Sequence, residues 1–281
     1  VETASVRPPA VSGAFYESDP ARLRRQIEWC FDHPKGPGRR PRPWGSRRVI
    51  GLVVPHAGLM FSGPVAACAY LRMAEGRRPG VVIIVGPDHW GRGPAVALSP
   101  HPRWRTPLGD VPTVHEVVAA LRGRGIAVDG RGHAGEHSVE VQLPFVQFLA
   151  YGGPVVPIVM AEQDAETAGG LAEALADALG AVDGLLIASS DLSHYVPHEQ
   201  AMEVDRSAID AVVARDPRRL LDLAARRHVT MCGAGPVAAV LEAAGRLGAE
   251  RVDVLQHATS ADTGGDHDSV VGYAAVALEA A

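Results

Sequence analysis

Five short apolar runs, bounded by glycine, proline or a polar cluster, recur along this chain at 49–54, 81–85, 155–159, 185–188 and 270–276, and 252–257, where valines mix with polar residues, is a sixth strand candidate. A run that stays apolar instead of alternating with polar residues is buried on both faces, and this is the signature of strands inside a covered sheet. The stretches between them carry helical periodicity, over 21–31, 64–73, 114–121, 137–149, 165–179, 199–213 and 235–247. Alternation of this kind predicts an α/β fold in which helices cover both faces of a largely parallel or mixed sheet. Pro20, Pro64 and Pro236 suit the first turn of a helix or the approach to it, where a missing N–H costs little. With 281 residues and 47% hydrophobic content the chain can bury a large core, and a single domain over 1–281 is expected.

A net charge of −5 gives no reason to expect nucleic acid or an acidic membrane as partner. Three cysteines far apart form neither a disulfide framework nor a CxxC ribbon, which predicts a reducing interior. The opening VETASVRPPA lacks a signal pattern and no apolar run nears the roughly 18 residues of a bilayer span, so a soluble, cytoplasmic protein is expected. The segment PKGPGRRPRPWGSRR, 34–48, is too rich in proline, glycine and charge to pack as an element and is read as a solvated surface loop. Residues 130–135 and 263–268 are further glycine-rich loops.

Polar motifs stand where the apolar runs end: VVPHAG at 53–58, VGPDH at 85–89 and, past the fourth run, SSDLSHY at 189–195, with MCGAGP at 231–236 before a helix. In open α/β sheets ligands bind outside the carboxyl ends of the strands, so residues delivered there by separate strands converge on one site. His56 and His89 occupy equivalent places at two strand ends and suit a shared cation. Cys232 lies in a glycine-rich turn at the start of a helix, where a lowered thiol pKa favours the thiolate; a buried, inert cysteine is the alternative there, as expected for Cys30 and Cys68. Two imidazoles and a thiolate form a soft-leaning set that suits Fe(II), copper or zinc rather than Mg or Ca, and three protein ligands leave room for O2, water or substrate. Asp191, His194 and His137 can exchange protons near neutral pH, although Asp191 is equally suited to capping a turn. His133 is a weaker candidate near His137.

Other site types have less support. There is no GxSxG elbow and no GxxxxGK[ST] loop, and GAGPVA at 233–238 lacks a strand before it, so a nucleotide cofactor is not expected. A hydrolase with Cys232 as nucleophile, assisted by His194 and Asp191, stays open.

The order RPPAVSGAFY, PHAG, GPDH, TPLG, EHSVEVQLPF, SSDLSHY, Cys232–Gly233 and SVVGY resembles the Memo family nearly end to end, including the Memo part of the AmmeMemoRadiSam group. That family is similar in fold to the class III extradiol dioxygenases, which implies a three-layer αβα sandwich with a mixed central sheet. The resemblance also implies a metal site at His56, His89 and Cys232, with His194 in the segment that holds the dioxygenases' acid/base histidine. Cys232 stands where those enzymes have a glutamate, which alters charge donation and redox potential at iron. Asp88 replaces the Asn or Ser usual before the second histidine and could orient a ligand or cap a turn. The expectation is a non-haem iron, O2-using oxidoreductase acting on a small-molecule substrate, with His194, His137 and Asp191 handling protons. The rival is a Memo-type interaction protein whose pocket binds a protein partner and whose metal is structural or regulatory.

Overall fold

The computed structural model describes residues 6–42, 44–180 and 182–281. In chain order its elements begin with α1 (Pro20–Asp32), β1 (Val49–Val54), α2 (Leu59–Glu75), β2 (Val81–Pro87), β3 (Val96–Leu98), β4 (Arg103–Thr106), β5 (Gly109–Pro112), α3 (His115–Gly123) and β6 (Ala127–Val128). A 3-10 turn (Glu140–Gln142) then leads into α4 (Leu143–Phe148), followed by β7 (Val155–Met160), α5 (Ala165–Leu179), β8 (Gly184–Ser189), β9 (His194–Val196) and α6 (His198–Val213). The remainder is α7 (Pro217–Ala225), α8 (Ala234–Arg246), β10 (Arg251–Thr259) and β11 (Val270–Glu279).

One sheet runs β10-β11-β1-β8-β2-β7-β3-β6, with β9 paired to β11 and β4-β5 forming a separate hairpin. The centre is parallel: β1 pairs β8, and β2 lies between β8 and β7. Antiparallel β11 and β10 on one side, and β3 on the other, make the sheet mixed. Successive side chains of a strand point to opposite faces, and β2 shows what that does here. Val81, Ile83 and Val85 join a core with α5, α8 and their neighbours, while Val82 and Ile84 join a second core with α1, α2 and α4. Burying each such aliphatic side chain contributes roughly 1.5–3 kcal/mol. The result is the expected αβα sandwich.

Two helix expectations need correction. The first turn of α2 starts at Leu59, whose N–H bonds the Phe15 carbonyl, so Pro64 stands inside that helix. The expected helix over 137–149 is broken into a 3-10 turn and the short α4, because Pro144 has no N–H to return to the Glu140 carbonyl. The described residues of 34–48 form turns, bends and one isolated bridge from Arg47 to Gly76 but no helix or strand, as expected of a loop, and several arginines there are ion-paired, including Arg40 with Asp32 and Glu28.

Candidate metal centre

Because β1, β8 and β2 are parallel neighbours, their carboxyl ends deliver His56, Asp191 and His89 to one rim of the sheet. The potential ligand atoms of His56, His89 and His137 all lie within 4.8 Å of one another, and so do those of His56, Asp191 and Cys232. His56 therefore belongs to two clusters. Of the set expected from sequence, His89 falls with His137, and Cys232 falls with Asp191. The rings of His89 and His137 stack at 4.5 Å, and His56 meets each edge-on at 5.2 and 5.3 Å.

The tautomer of His56 follows from its surroundings. Ser189 Oγ has one hydrogen and three close partners: the Ser138 carbonyl at 2.7 Å, Gln142 Nε2 at 2.8 Å and His56 Nδ1 at 2.9 Å. A carbonyl only accepts, so the hydroxyl donates to Ser138 and must accept from His56 Nδ1–H. Gln142 is itself oriented by the Pro55 carbonyl, to which its amide N–H donates at 3.0 Å. His56 Nε2 is left as a bare lone pair, 3.3 Å from Cys232 Sγ. Nitrogen and sulfur bound to one ion at about 2.0 and 2.3 Å, with an angle near 100° between them, are about 3.3 Å apart. This spacing fits a shared cation.

His89 is fixed in the same manner. Glu136, fully buried, accepts the His89 backbone N–H at 2.8 Å and faces its Nδ1 at 2.9 Å, and it also accepts the N–H groups of His137 and Ser138. Burial opposes its ionisation, but the bond from His89 and the backbone donors bring the carboxyl down to about 2. A carboxylate only accepts, so His89 Nδ1 carries hydrogen and Nε2 is the atom turned towards the cluster for a metal. This carboxylate–histidine pairing holds a ligand imidazole in one tautomer.

Burial, reinforced by the neighbouring imidazoles, keeps His56 neutral far below the ordinary histidine range, and burial pulls His137 down to about 4. Neutral rings are the form that binds metal. Burial also pushes Asp191 up to about 6, against the bond its Oδ1 accepts from His56 N–H at 2.8 Å. Cys232 departs from expectation. Although it keeps some solvent contact, the desolvated surroundings of its sulfur and the nearby Asp191 raise the thiol instead of lowering it. Asp191 N–H donates to Sγ at 3.3 Å, which favours charge on sulfur but does not outweigh burial.

His194 sits at the edge, its Nδ1 2.9 Å from the Thr230 carbonyl, which leaves Nε2 as the free acceptor. His133 is fully buried away from the cluster, with Nε2 3.2 Å from the Ala97 carbonyl and Trp104 edge-on at 5.6 Å. Asp88 caps a turn: its carboxylate accepts the N–H groups of Trp90, Arg92 and Gly93. Sequence reading assigned no role to Ser189, Gln142, Glu136 or Gln163. The first three lie within or beside quoted motifs, whereas Gln163 carries no pattern. Its side chain holds the Cys232 carbonyl at 2.8 Å and the Gly235 N–H at 2.8 Å, fixing the cysteine turn against the end of β7.

The chain matches the family model described as Memo-like protein over residues 7–277. It is 45% identical over 273 residues to a MEMO1 family protein of Methanothermobacter thermautotrophicus, covering 96% of this chain and 99% of that one. It is 46% identical to a MEMO1 family protein of Methanopyrus kandleri, covering 96% and 98%. Among solved structures, the uncharacterized protein JW3007 from Escherichia coli K12 shares the fold at a TM-score of 0.55 and 15% identity, over 82% of this chain and 100% of that one. The motifs, the sandwich and these relatives agree, and the chain belongs to the Memo-like family.

Proposed function

We propose that this protein is a metal-dependent oxidoreductase, a non-haem iron enzyme that uses O2 on a small organic substrate. The observation that carries the proposal is that His56 and His89 are each anchored through Nδ1, by Ser189 and by Glu136, which leaves Nε2 of each ring as the atom to meet an ion. In this reading His56, His89 and Cys232 hold the ion. His137 is within reach of the same ion, but a thiolate offsets charge that neutral imidazoles leave in place, so Cys232 is preferred as the third ligand and His137 is given proton transfer. Fe(II) is the ion proposed, with copper and zinc the alternatives the same donors accept. A bound iron supplies Lewis-acid and one-electron redox chemistry. The chain's own residues do the rest: His137, kept neutral by burial, accepts or returns protons, His194 does so from the site's edge, and Asp191, raised to about 6, exchanges one beside Cys232.

The test is O2 uptake by anaerobically purified, Fe(II)-loaded protein against a substrate panel. His194→Ala and His137→Ala are expected to keep the ion and lose roughly 100-fold in turnover. Unchanged turnover in both would end their assignment.

A second reading keeps the ion and replaces turnover with a protein partner. It is favoured by Trp90 (58% exposed) beside His89 and Tyr195 (78% exposed) beside His194, large aromatic rings presented to solvent at the site's edge. Partner binding without O2 uptake is its outcome. A Cys232 nucleophile has less support, because the thiol is raised.

A further inference from the structure

At the opposite end of the sheet, where β1 and β8 begin, lies a cavity of about 270 Å3 that the metal centre does not reach. Its lining carries three arginines, Arg47, Arg48 and Arg77, and is predominantly polar, with Met73, Pro79 and Leu185 buried behind it. One acid, Asp183, also lines it, which leaves two positive charges without an opposing charge in the lining. In a chain of net charge −5 this is a local excess.

The arginines are not consumed by partners. Arg47 lies 3.6 Å from Glu75 and 3.7 Å from Glu279, and both carboxylates are held more closely by Arg72, at 3.3 and 3.2 Å. Among the described residues the Arg48 guanidinium reaches only the Leu247 carbonyl, at 3.4 Å. Among the described residues the Arg77 side chain has no hydrogen bond or ion pair. Their placement, by contrast, is built. Arg77 N–H donates to the Arg47 carbonyl at 3.0 Å, and Gly45 N–H donates to the Gly76 carbonyl at 2.9 Å, so the arginine-bearing end of the 34–48 loop is laced to the α2–β2 turn. Gly45 makes that approach feasible, since a Cβ there would collide with the Glu75 carbonyl.

We propose that this cavity binds a phosphate group, free or at the end of a small ester, its dianionic oxygens on Arg47, Arg48 and Arg77. Three guanidiniums against one lining carboxylate suit a phosphate dianion better than a single carboxylate, and guanidinium forks pair with phosphate oxygens in a bidentate manner.

Phenyl phosphate, inorganic phosphate and benzoate are titrated calorimetrically into the full-length chain at low salt. Saturable binding of both phosphates is expected, tighter than that of benzoate. Arg77→Ala and Arg48→Ala, both exposed positions outside the core, should each weaken phenyl phosphate roughly tenfold or more. His56→Ala should leave that affinity unchanged, which separates this site from phosphate bound at a metal. Absence of saturable phenyl phosphate binding overturns the proposal, as does affinity that survives both arginine substitutions or is lost with His56→Ala. Benzoate binding as tightly as phenyl phosphate overturns the assignment to a dianion.

Discussion

Ser189→Ala probes the anchor of the metal centre without touching a proposed ligand. The hydroxyl is fully buried and joins three groups: it accepts from His56 Nδ1 and Gln142 Nε2 and donates to the Ser138 carbonyl. Gln142 keeps its bond to Pro55 through one amide hydrogen, so alanine leaves the His56 Nδ1–H and the Ser138 carbonyl unpaired and the second Gln142 amide hydrogen without its acceptor. A buried group left without a partner costs roughly 1–3 kcal/mol, and partial relaxation places the sum at about 2–4 kcal/mol. Loss of an outer hydrogen-bond partner of a ligand histidine also lowers metal affinity by roughly 10- to 100-fold. Urea unfolding of the metal-free chain reads the first effect, and Fe(II) titration against a competing chelator reads the second. Stability lost as expected, with metal affinity within about twofold of the parent, would refute the argument that His56 Nε2 is a donor held in place by Ser189.

Acid should unfold the metal-free chain early. His133, pulled down to about 3 chiefly by burial, and His137, at about 4, stay neutral in the fold while the unfolded chain protonates near 6.5. Stability contributed by each is therefore full above pH 6.5 and falls by about 1.4 kcal/mol per pH unit below it, with His56 acting in the same direction. Asp191, raised to about 6, works oppositely between pH 6 and 3.8 and offsets one of the three, which leaves a net loss of about 3 kcal/mol per unit. A urea midpoint that does not move between pH 7 and 5 would contradict this. Gly233→Ala should displace the cysteine turn, because a Cβ there meets the Ser189 carbonyl at 2.6 Å and Ser190 Cβ at 2.7 Å. Metal occupancy should drop, measured by atomic absorption, with the circular dichroism spectrum retained; full occupancy would remove Cys232 from the set.

The central strands were legible because burial on both faces leaves an unbroken apolar run, and 49–54 matches β1 residue for residue. Helix 165–179 was equally legible, since its apolar stripe starts at an Asp164 cap that accepts from Thr167 N–H. The short strands β3, β4, β5, β6 and β9 were not, because two to four residues hold no period and their pairing is decided by distant partners. His56, His89 and Cys232 stood out as ligand types at strand or helix ends. The sequence did not reveal that His56 joins two clusters, or that Glu136 and Ser189 choose the tautomers, because those contacts cross 47 and 133 residues of chain. Thiol acidity was misjudged for a related reason: proximity to a helix start is local, whereas desolvation and the Asp191 charge come from the folded surroundings.

His56 is common to both ligand clusters, so the metal content of His56→Ala tests the account most directly. Protein purified anaerobically and loaded with Fe(II) should hold about one ion per chain. His56→Ala should hold almost none while unfolding cooperatively in urea like a folded chain. Full occupancy in His56→Ala, or an unaltered chain that binds no metal at all, would contradict the metal centre described above.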